Sequence, residues 1–151
     1  METGDVRKIS VFTADDHDLL RAGIAGMIAG EADMVLVGEA VTGADAVRGF
    51  REFIPDVMLM DLQMPDMHGA RPIELIRAEF PFAKIVVLTT YPGDVNARNA
   101  LLAGAMGYLL KSALREGLIT AIRAVHAGQH CISSEVAQEL AEHIAERSKI
   151  I

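Results

Sequence analysis

The stretch Val57-Met58-Leu59-Met60-Asp61-Leu62-Gln63-Met64-Pro65 decides the fold of this chain. Its four leading apolar residues follow Pro55-Asp56 and indicate a short strand that is buried on both faces. Asp61 comes directly after them. A carboxylate at the carboxyl end of such a strand lies at the rim of the sheet, where ligands bind in open α/β proteins. The stretch therefore predicts both a parallel sheet and a site at its edge.

Three other apolar runs also end in polar side chains. The run Ile9–Ala14 is followed by Asp15-Asp16, the run Ile85–Thr89 ends in its threonine, and Tyr108-Leu109-Leu110 is followed by Lys111. Because the carboxyl ends of parallel strands meet at one edge of a sheet, we expect these side chains to gather around Asp61. Taken alone, Asp15-Asp16 predicts a cap for the next helix as readily as a site. The second acid-bearing strand end favours the site.

Segments with helical periodicity separate the strands. Strands are expected at 8–14, 34–39, 57–61, 85–89 and 107–110, and helices from about residue 18 and at 42–54, 71–80, 95–103 and 114–126. In the second helix, Val47, Phe50 and Ile54 form the predicted inward stripe.

Regular alternation of strand and helix implies an α/β fold with a mostly parallel sheet covered on both faces. The right-handed crossover rule leaves few topologies. We expect the flavodoxin-like (CheY-like) doubly wound sheet of five strands in the order 2-1-3-4-5, one of the two common orders, with an extra C-terminal linker helix. In this order strands one and three are neighbours, which brings Asp15 and Asp16 beside Asp61.

Composition limits the function classes. The chain has 151 residues, enough for one domain, and 51% are hydrophobic. A net charge of −7 argues against a nucleic-acid surface or an anionic membrane surface on this chain. No signal peptide and no apolar stretch of membrane-spanning length are visible, so we expect no membrane partner. The single cysteine, Cys131, fits a reducing compartment, and a cytoplasmic location is predicted.

The predicted acids point to metal-assisted phosphoryl chemistry. Three carboxylates at one rim repel each other, and a divalent cation with oxygen ligands relieves that repulsion. Mg²⁺ is the usual ion where carboxylates and phosphate oxygens share the metal. Aspartate is a known nucleophile toward phosphoryl groups. Lys111 would counter the phosphoryl charge, and Thr89 would offer a hydroxyl to a phosphate oxygen.

In these residues the chain resembles the response-regulator receiver domains of two-component signalling, over about residues 7–128. The matching motifs are Asp15-Asp16, Asp61 with Met64-Pro65 and Gly69, Thr89, and Gly107-Tyr108-Leu109-Leu110-Lys111. The residues of these motifs, including Ala14-Asp15-Asp16-His17 and Lys111-Ser112, are most similar to those of the LuxR/NarL-type subfamily.

The resemblance implies that Asp61 is a phosphoacceptor for a histidine kinase and that this protein is a switch rather than an enzyme. It also implies an Mg²⁺ ion held by Asp16, Asp61 and the backbone carbonyl of Gln63, with Asp15 joining through water. The five histidines show no metal-ligand spacing, and we expect most of them to lie on the surface.

The resemblance assigns the remaining site residues to the response. Lys111 would bridge Asp61 and the phosphoryl group, Thr89 would move toward the phosphate, and Tyr108 would turn inward into the space that Thr89 leaves. Two positions depart from the common family pattern, namely His68 before Gly69, and Ser112 in place of proline.

We assign residues 1–130 to a receiver domain and 131–151 to a C-terminal helix or linker. Most such regulators continue into a DNA-binding helix-turn-helix domain, so we expect transcriptional control only through a domain absent from this chain. The alternative is a stand-alone receiver, or a phosphorelay or interaction module without DNA-binding output. A homodimer is compatible with the sequence, through the first and last receiver helices or through the fourth.

A phosphatase with an aspartate nucleophile is the alternative from the class of enzymes. The Asp-x-Asp motif of such enzymes fits neither Asp15 nor Asp61.

Overall fold

Five parallel strands form one sheet with the order β2-β1-β3-β4-β5, which confirms the predicted topology. The structure is a computed structural model that describes residues 7–90 and 95–132 together with Gln138 and Glu142. The strands are β1 (Ile9–Ala14), β2 (Met34–Ala40), β3 (Val57–Asp61), β4 (Ile85–Thr89) and β5 (Gly107–Leu110).

The helices cover the sheet on both sides and bury every residue of β3 and β4. One face packs against α1 and α5, and the other against α2, α3 and α4. Alternate residues of β3 serve the two cores, because Val57 and Leu59 face the first layer, whereas Met58 and Met60 face the second. The helices are α1 (Asp18–Ala29), α2 (Gly43–Phe53), α3 (Arg71–Glu79), α4 (Val95–Leu102) and α5 (Leu114–His126).

Local chemistry sets the ends of the helices. The Thr42 hydroxyl accepts a hydrogen bond from the Asp45 amide and caps α2. Ile54 follows this helix in the left-handed region, with φ 41°, and is 40% exposed. The prediction that Ile54 continues the inward stripe is therefore wrong, because the helix ends one residue before it.

The start of α1 removes the capping alternative for Asp15-Asp16. The N-cap position belongs to His17, and its side chain makes no capping hydrogen bond. Asp15 instead accepts a hydrogen bond from the His17 amide within the preceding loop. The two acids are thus left at the end of β1, where the site was predicted.

A short extension of the sheet follows α5 and was not predicted. Cys131 forms a parallel bridge with Gly107, its amide donates to the Met106 carbonyl at 2.9 Å, and its carbonyl accepts from the Tyr108 amide at 3.0 Å. The free edge of β5 is thus partly covered by the first residues of the predicted linker.

The predicted C-terminal helix lies largely outside the described residues. Gln138 and Glu142 are helical, and the Gln138 amide nitrogen lies 3.3 Å from the Glu142 carboxylate. Among the residues that the structure describes, no helix has both the length and the apolar character needed to cross a bilayer.

Candidate functional site

Two buried acids and one partly exposed acid meet at the carboxyl edge of the sheet. Ala14 pairs with Met60, so the residues that follow them, Asp15 and Asp61, lie side by side. Asp15 is fully buried, Asp61 is 2% exposed, and Asp16 is partly open to solvent. Ligand atoms of these three acids lie within 4.8 Å of one another. The predicted acidic cluster therefore forms.

Each buried acid has one satisfied oxygen and one that lacks a hydrogen bond. Asp15 Oδ1 accepts the His17 amide at 2.7 Å, and Asp61 Oδ1 accepts the Gln63 amide at 3.1 Å. Asp15 Oδ2 and Asp61 Oδ2 are buried and have no hydrogen-bond partner among the residues that the structure describes. Buried polar atoms are normally paired, so two orphaned oxygens at one point fit an ion or a phosphoryl group.

Burial raises the pKa of Asp61 above its ordinary value, and the negative charge of Asp15 raises it further. The positive charge of Lys111 and the Gln63 amide act in the opposite direction. The net upward direction means that the ionised form of Asp61 is held in an unfavourable environment. A bound cation or a covalent phosphoryl group would relieve it.

Lys111 supplies the positive charge at this edge. It follows β5 and begins a short 3₁₀ turn, Lys111–Ala113. Its Nζ lies 3.2 Å from Asp61 Oδ2 and 3.5 Å from Asp15 Oδ2, and neither approach has hydrogen-bond geometry. The two contacts are therefore close ion pairs without hydrogen bonds, and both oxygens keep the capacity to bind another ligand.

Thr89 and Tyr108 lie on the neighbouring strands. Asp61 pairs with Leu88, so Thr89 is the next residue along the edge, and it is buried. Tyr108 is buried in the core on the side of α2, α3 and α4. The structure thus brings Thr89 to the rim and holds Tyr108 one strand away, while their roles in switching remain predictions.

The loop after β3 is folded back by contacts of its own. Gly69 has φ 65°, its amide donates to the Leu62 carbonyl, and an added Cβ would lie 2.9 Å from Asn96 Oδ1. Glycine is required here both by the left-handed backbone and by the approach of α4. This geometry fixes the position of Gln63, whose carbonyl is a predicted metal ligand.

Asp66 was missed by the sequence reasoning. Its carboxylate accepts the amides of Gly43 and Ala44 at 2.6 and 3.0 Å, and these hydrogen bonds lower its pKa. It therefore ties the loop after β3 to the first turn of α2. The sequence around α2 does not predict this cap, because Asp66 lies more than twenty residues farther along the chain.

His17 was also missed as a member of the site, although it is exposed as expected for most of the histidines. Its Nδ1 lies 2.7 Å from Asp15 Oδ1, 3.2 Å from Asp16 Oδ1 and 3.8 Å from Asp61 Oδ2. Spacing among histidines gave no signal, because the other ligands are aspartates. Its position directly after Asp15-Asp16 was the available signal.

The cluster opens into a surface cavity of about 460 Å³. Its lining combines polar groups at the rim with apolar residues of α1. A larger cleft of about 760 Å³ lies between α3 and α4, away from the acids. The cavity at the rim is lined by His17, Leu19, Leu20, Gln63, Thr90 and Lys111.

Comparison with known families agrees with this arrangement. The family described as the response regulator receiver domain matches residues 11–123. The chain belongs to this family. The receiver domains of response regulators are signalling switches, and the acidic cluster of this one is typical of Mg²⁺ binding in the family.

Curated relatives of this receiver domain are response regulators. The response regulator GacA of Pseudomonas aeruginosa is 41% identical over 133 residues, which are 88% of this chain and 62% of GacA. The response regulator UvrY of Escherichia coli K12 is 38% identical over 88% of this chain and 61% of UvrY. The chain thus spans about three fifths of the length of these relatives.

Solved structures show the same fold. A LuxR-family two-component response regulator from Aurantimonas sp. SI85-9A1 superposes with a TM-score of 0.82 at 34% identity, over 91% of this chain and 99% of that one. The signal receiver domain of a NarL regulator from Mycobacterium tuberculosis gives a TM-score of 0.76 at 31% identity, over 82% and 99% of the two chains. The predicted LuxR/NarL-type resemblance is confirmed.

Proposed function

We propose that this receiver domain is a phosphorylation switch whose acceptor is Asp61. The observation that carries the proposal is the buried Asp61 Oδ2, which has no hydrogen-bond partner and lies 3.2 Å from Lys111 Nζ. A nucleophilic oxygen needs a free lone pair and a nearby positive charge for the incoming phosphoryl oxygens. This oxygen has both.

The donor would be a phosphohistidine of a histidine kinase. An oxygen of the Asp61 carboxylate attacks phosphorus, and an oxygen–phosphorus bond forms while the phosphorus–nitrogen bond of the donor breaks. The departing imidazole nitrogen keeps the electron pair and takes up a proton. The product is an acyl phosphate on Asp61, and Lys111 neutralises part of the added charge.

Mg²⁺ would supply charge neutralisation to the phosphoryl oxygens when it is bound. Asp16, Asp61 and the backbone carbonyl of Gln63 are the proposed direct ligands, and Asp15 would contribute through water. The orphaned Oδ2 atom of Asp15 supports a cation at this point, because no donor among the described residues satisfies it.

The proposed response runs along the carboxyl ends of β4 and β5. Thr89 would move toward the phosphoryl group, and Tyr108 would shift its packing into the space left behind. The phosphoryl group would then favour one of two packed arrangements, which is a shift in population rather than a new fold. The Tyr108 amide donates a hydrogen bond to the Cys131 carbonyl, so a shift of Tyr108 would reach the start of the linker.

The cavity at the rim supports a docking surface for the kinase. Leu19 is 88% exposed and lines both this cavity and a neighbouring groove between α1 and α5. The groove continues over Leu20, Ile24, Met27 and Leu114, and a contiguous apolar surface of this kind supports contact with a partner protein. Two surfaces are candidates for a homodimer, one formed by α1 and α5 and one by α4.

The wider role is proposed from the relatives. We propose residues 1–130 as the receiver and 131–151 as the linker of a cytoplasmic regulator, with transcriptional output through a DNA-binding domain outside this chain. The structurally similar response regulator RcsB of Salmonella typhimurium shows conformational dynamism for DNA interaction, which supports an output of this kind. A stand-alone receiver or a phosphorelay module is the alternative.

Intact-mass spectrometry after treatment with acetyl phosphate and Mg²⁺ tests the acceptor. We expect a mass increase of one phosphoryl group that is lost in Asp61→Asn and kept in Asp56→Asn, a matched acid at the opposite end of β3. No increase in the unmodified chain would overturn the switch in favour of an interaction module. Multiple turnovers of a phosphomonoester without a kinase would overturn it in favour of a phosphatase.

A further inference from the structure

The imidazole of His17 lies among the acids at distances that suit a shared ion. An ion bound at about 2.1 Å by octahedral ligands holds adjacent ligand atoms about 3 Å apart and opposite ones about 4 Å apart. His17 Nδ1 lies 3.2 Å from Asp16 Oδ1, which is the spacing of adjacent ligand atoms, and 3.8 Å from Asp61 Oδ2. Its contact with Asp15 Oδ1 at 2.7 Å is a hydrogen bond that holds the ring in place. One ligand atom from each of the four residues falls within 4.8 Å of the others.

The backbone directs the ring to this point. His17 is the N-cap residue of α1 with extended dihedral angles, φ −92° and ψ 106°, and its amide donates to Asp15 Oδ1. The loop that connects β1 to α1 is also held by Arg21, whose Nη1 donates to the Asp15 carbonyl at 2.8 Å. The loop therefore fixes the backbone of His17, and the hydrogen bond between Nδ1 and Asp15 Oδ1 at 2.7 Å orients the ring.

The ring alone does not satisfy the site. Asp15 Oδ2 and Asp61 Oδ2 stay buried without hydrogen bonds although His17 is present. The ring pairs with Asp15 Oδ1 instead, and Lys111 Nζ lies 3.2 Å from Asp61 Oδ2 and 3.5 Å from Asp15 Oδ2 without hydrogen-bond geometry. The unmet hydrogen-bonding capacity of the two Oδ2 atoms therefore indicates that a further ligand completes the cluster beside Lys111.

We propose that His17 Nδ1 is a direct metal ligand, which turns an all-oxygen Mg²⁺ site into a mixed oxygen and nitrogen site that favours transition-metal ions. The proposal rests on the cation site of the proposed function and names a further ligand of that site. Imidazole suits ions such as Co²⁺, Ni²⁺ and Zn²⁺, whereas Mg²⁺ prefers carboxylate, carbonyl and water oxygens. Substitution of His17 should therefore weaken Co²⁺ binding much more than Mg²⁺ binding.

Calorimetric titration of the whole chain with Co²⁺ and, separately, with Mg²⁺ tests the proposal. In His17→Ala we expect about a tenfold or greater loss of Co²⁺ affinity and less than about a threefold change for Mg²⁺. His17→Asn keeps a residue that is favoured at the N-cap and should behave like His17→Ala, which separates loss of a ligand from disturbance of α1. His126→Ala is the matched control, because His126 is an exposed histidine at the end of α5.

Proton NMR of the Co²⁺-loaded chain gives a second readout. A strongly shifted, exchangeable imidazole resonance that disappears in His17→Asn and persists in His126→Ala would support direct ligation. Equal losses for both ions or an unchanged Co²⁺ affinity in His17→Ala would each overturn direct ligation. Absence of binding by either ion to the unmodified chain would overturn the cation site of the proposed function as well.

Discussion

Asp56 precedes strand β3 and Asp61 is its last residue, and the two carboxylates have opposite surroundings. At the amino end of β3, Asp56 Oδ2 accepts the Ser10 amide at 2.9 Å and the Ser10 hydroxyl at 3.1 Å, while Oδ1 accepts Arg7 Nη2 at 2.8 Å. The Asp56 amide donates back to the Ser10 hydroxyl at 2.8 Å. At the carboxyl end, Asp61 keeps one oxygen without a hydrogen bond.

The difference distinguishes Asp56, an acid that stabilises the fold, from Asp61, the proposed phosphoacceptor. Asp56 joins β1 to β3 through several donors, so its charge is compensated where it stands. Asp61 is more deeply buried, faces a second acid, and meets Lys111 only as an ion pair. Proteins often lose stability at functional sites. The carboxylate at the amino end of β3 stabilises the fold, whereas the one at the carboxyl end does not.

Removal of the satisfied acid should have the largest effect on stability. In Asp56→Ala we expect the free energy of unfolding to fall by about 3 kcal/mol, because the Ser10 amide and hydroxyl lose their acceptor. Urea denaturation followed by circular dichroism measures the change. A loss below about 1 kcal/mol would show that Asp56 contributes no more to stability than an acid in an exposed ion pair.

Mg²⁺ should stabilise the chain through the other end of the strand. At one hundred times its dissociation constant, a ligand that binds only the folded state adds about 2.7 kcal/mol. We expect this increment in the unmodified chain and in Asp56→Asn, and a much smaller one in Asp61→Asn. Removal of the ion with a chelator should reverse it, and an equal increment in all three chains would contradict the assignment.

Neutralising the unsatisfied acid should stabilise the metal-free chain. In Asp61→Asn at neutral pH we expect the free energy of unfolding to rise by about 1 kcal/mol, because the amide removes a buried charge beside Asp15. Urea denaturation in the presence of a chelator measures this change. A clear decrease would mean that the ion pair with Lys111 outweighs the burial of Asp61.

The pH dependence should show the smallest effect. The pKa of Asp61 is raised in the folded state, so between its unfolded value of 3.8 and its folded value the folded chain binds more protons. The contribution of Asp61 to stability therefore falls as pH rises through that window and stays low above it. The stability advantage of Asp61→Asn should grow from about pH 4 toward pH 7. Urea midpoints across that range measure it, and an advantage that shrinks would contradict the direction of the shift.

Several features were predictable because they depend on neighbouring residues. The runs at β3 and β4 are short and apolar, and their bounds match the predicted ones. The helix α5 also runs over Leu114–His126 as predicted, with its apolar stripe buried. The fate of Ile54 was not predictable, because the left-handed turn after α2 depends on how the chain enters β3.

Other features depend on residues that are far apart in the sequence. Asp66 caps α2 from the loop after β3, and Cys131 pairs with β5 from beyond α5. A hydrogen-bonding partner supplied by another part of the chain leaves no trace in local periodicity. Both contacts required the folded arrangement of strands and helices.

The sequence by itself determined the alternation of buried strands and amphipathic helices, and with it the edge at which Asp15, Asp16, Asp61, Thr89 and Lys111 would stand. Apolar burial sets these elements, and polar strand ends must face the rim. Only the tertiary structure decided which carboxylate oxygens are left unsatisfied and that the ring of His17 lies between the acids. Those facts depend on distances of a few ångströms between separate strands and loops, and packing of the whole domain fixes them.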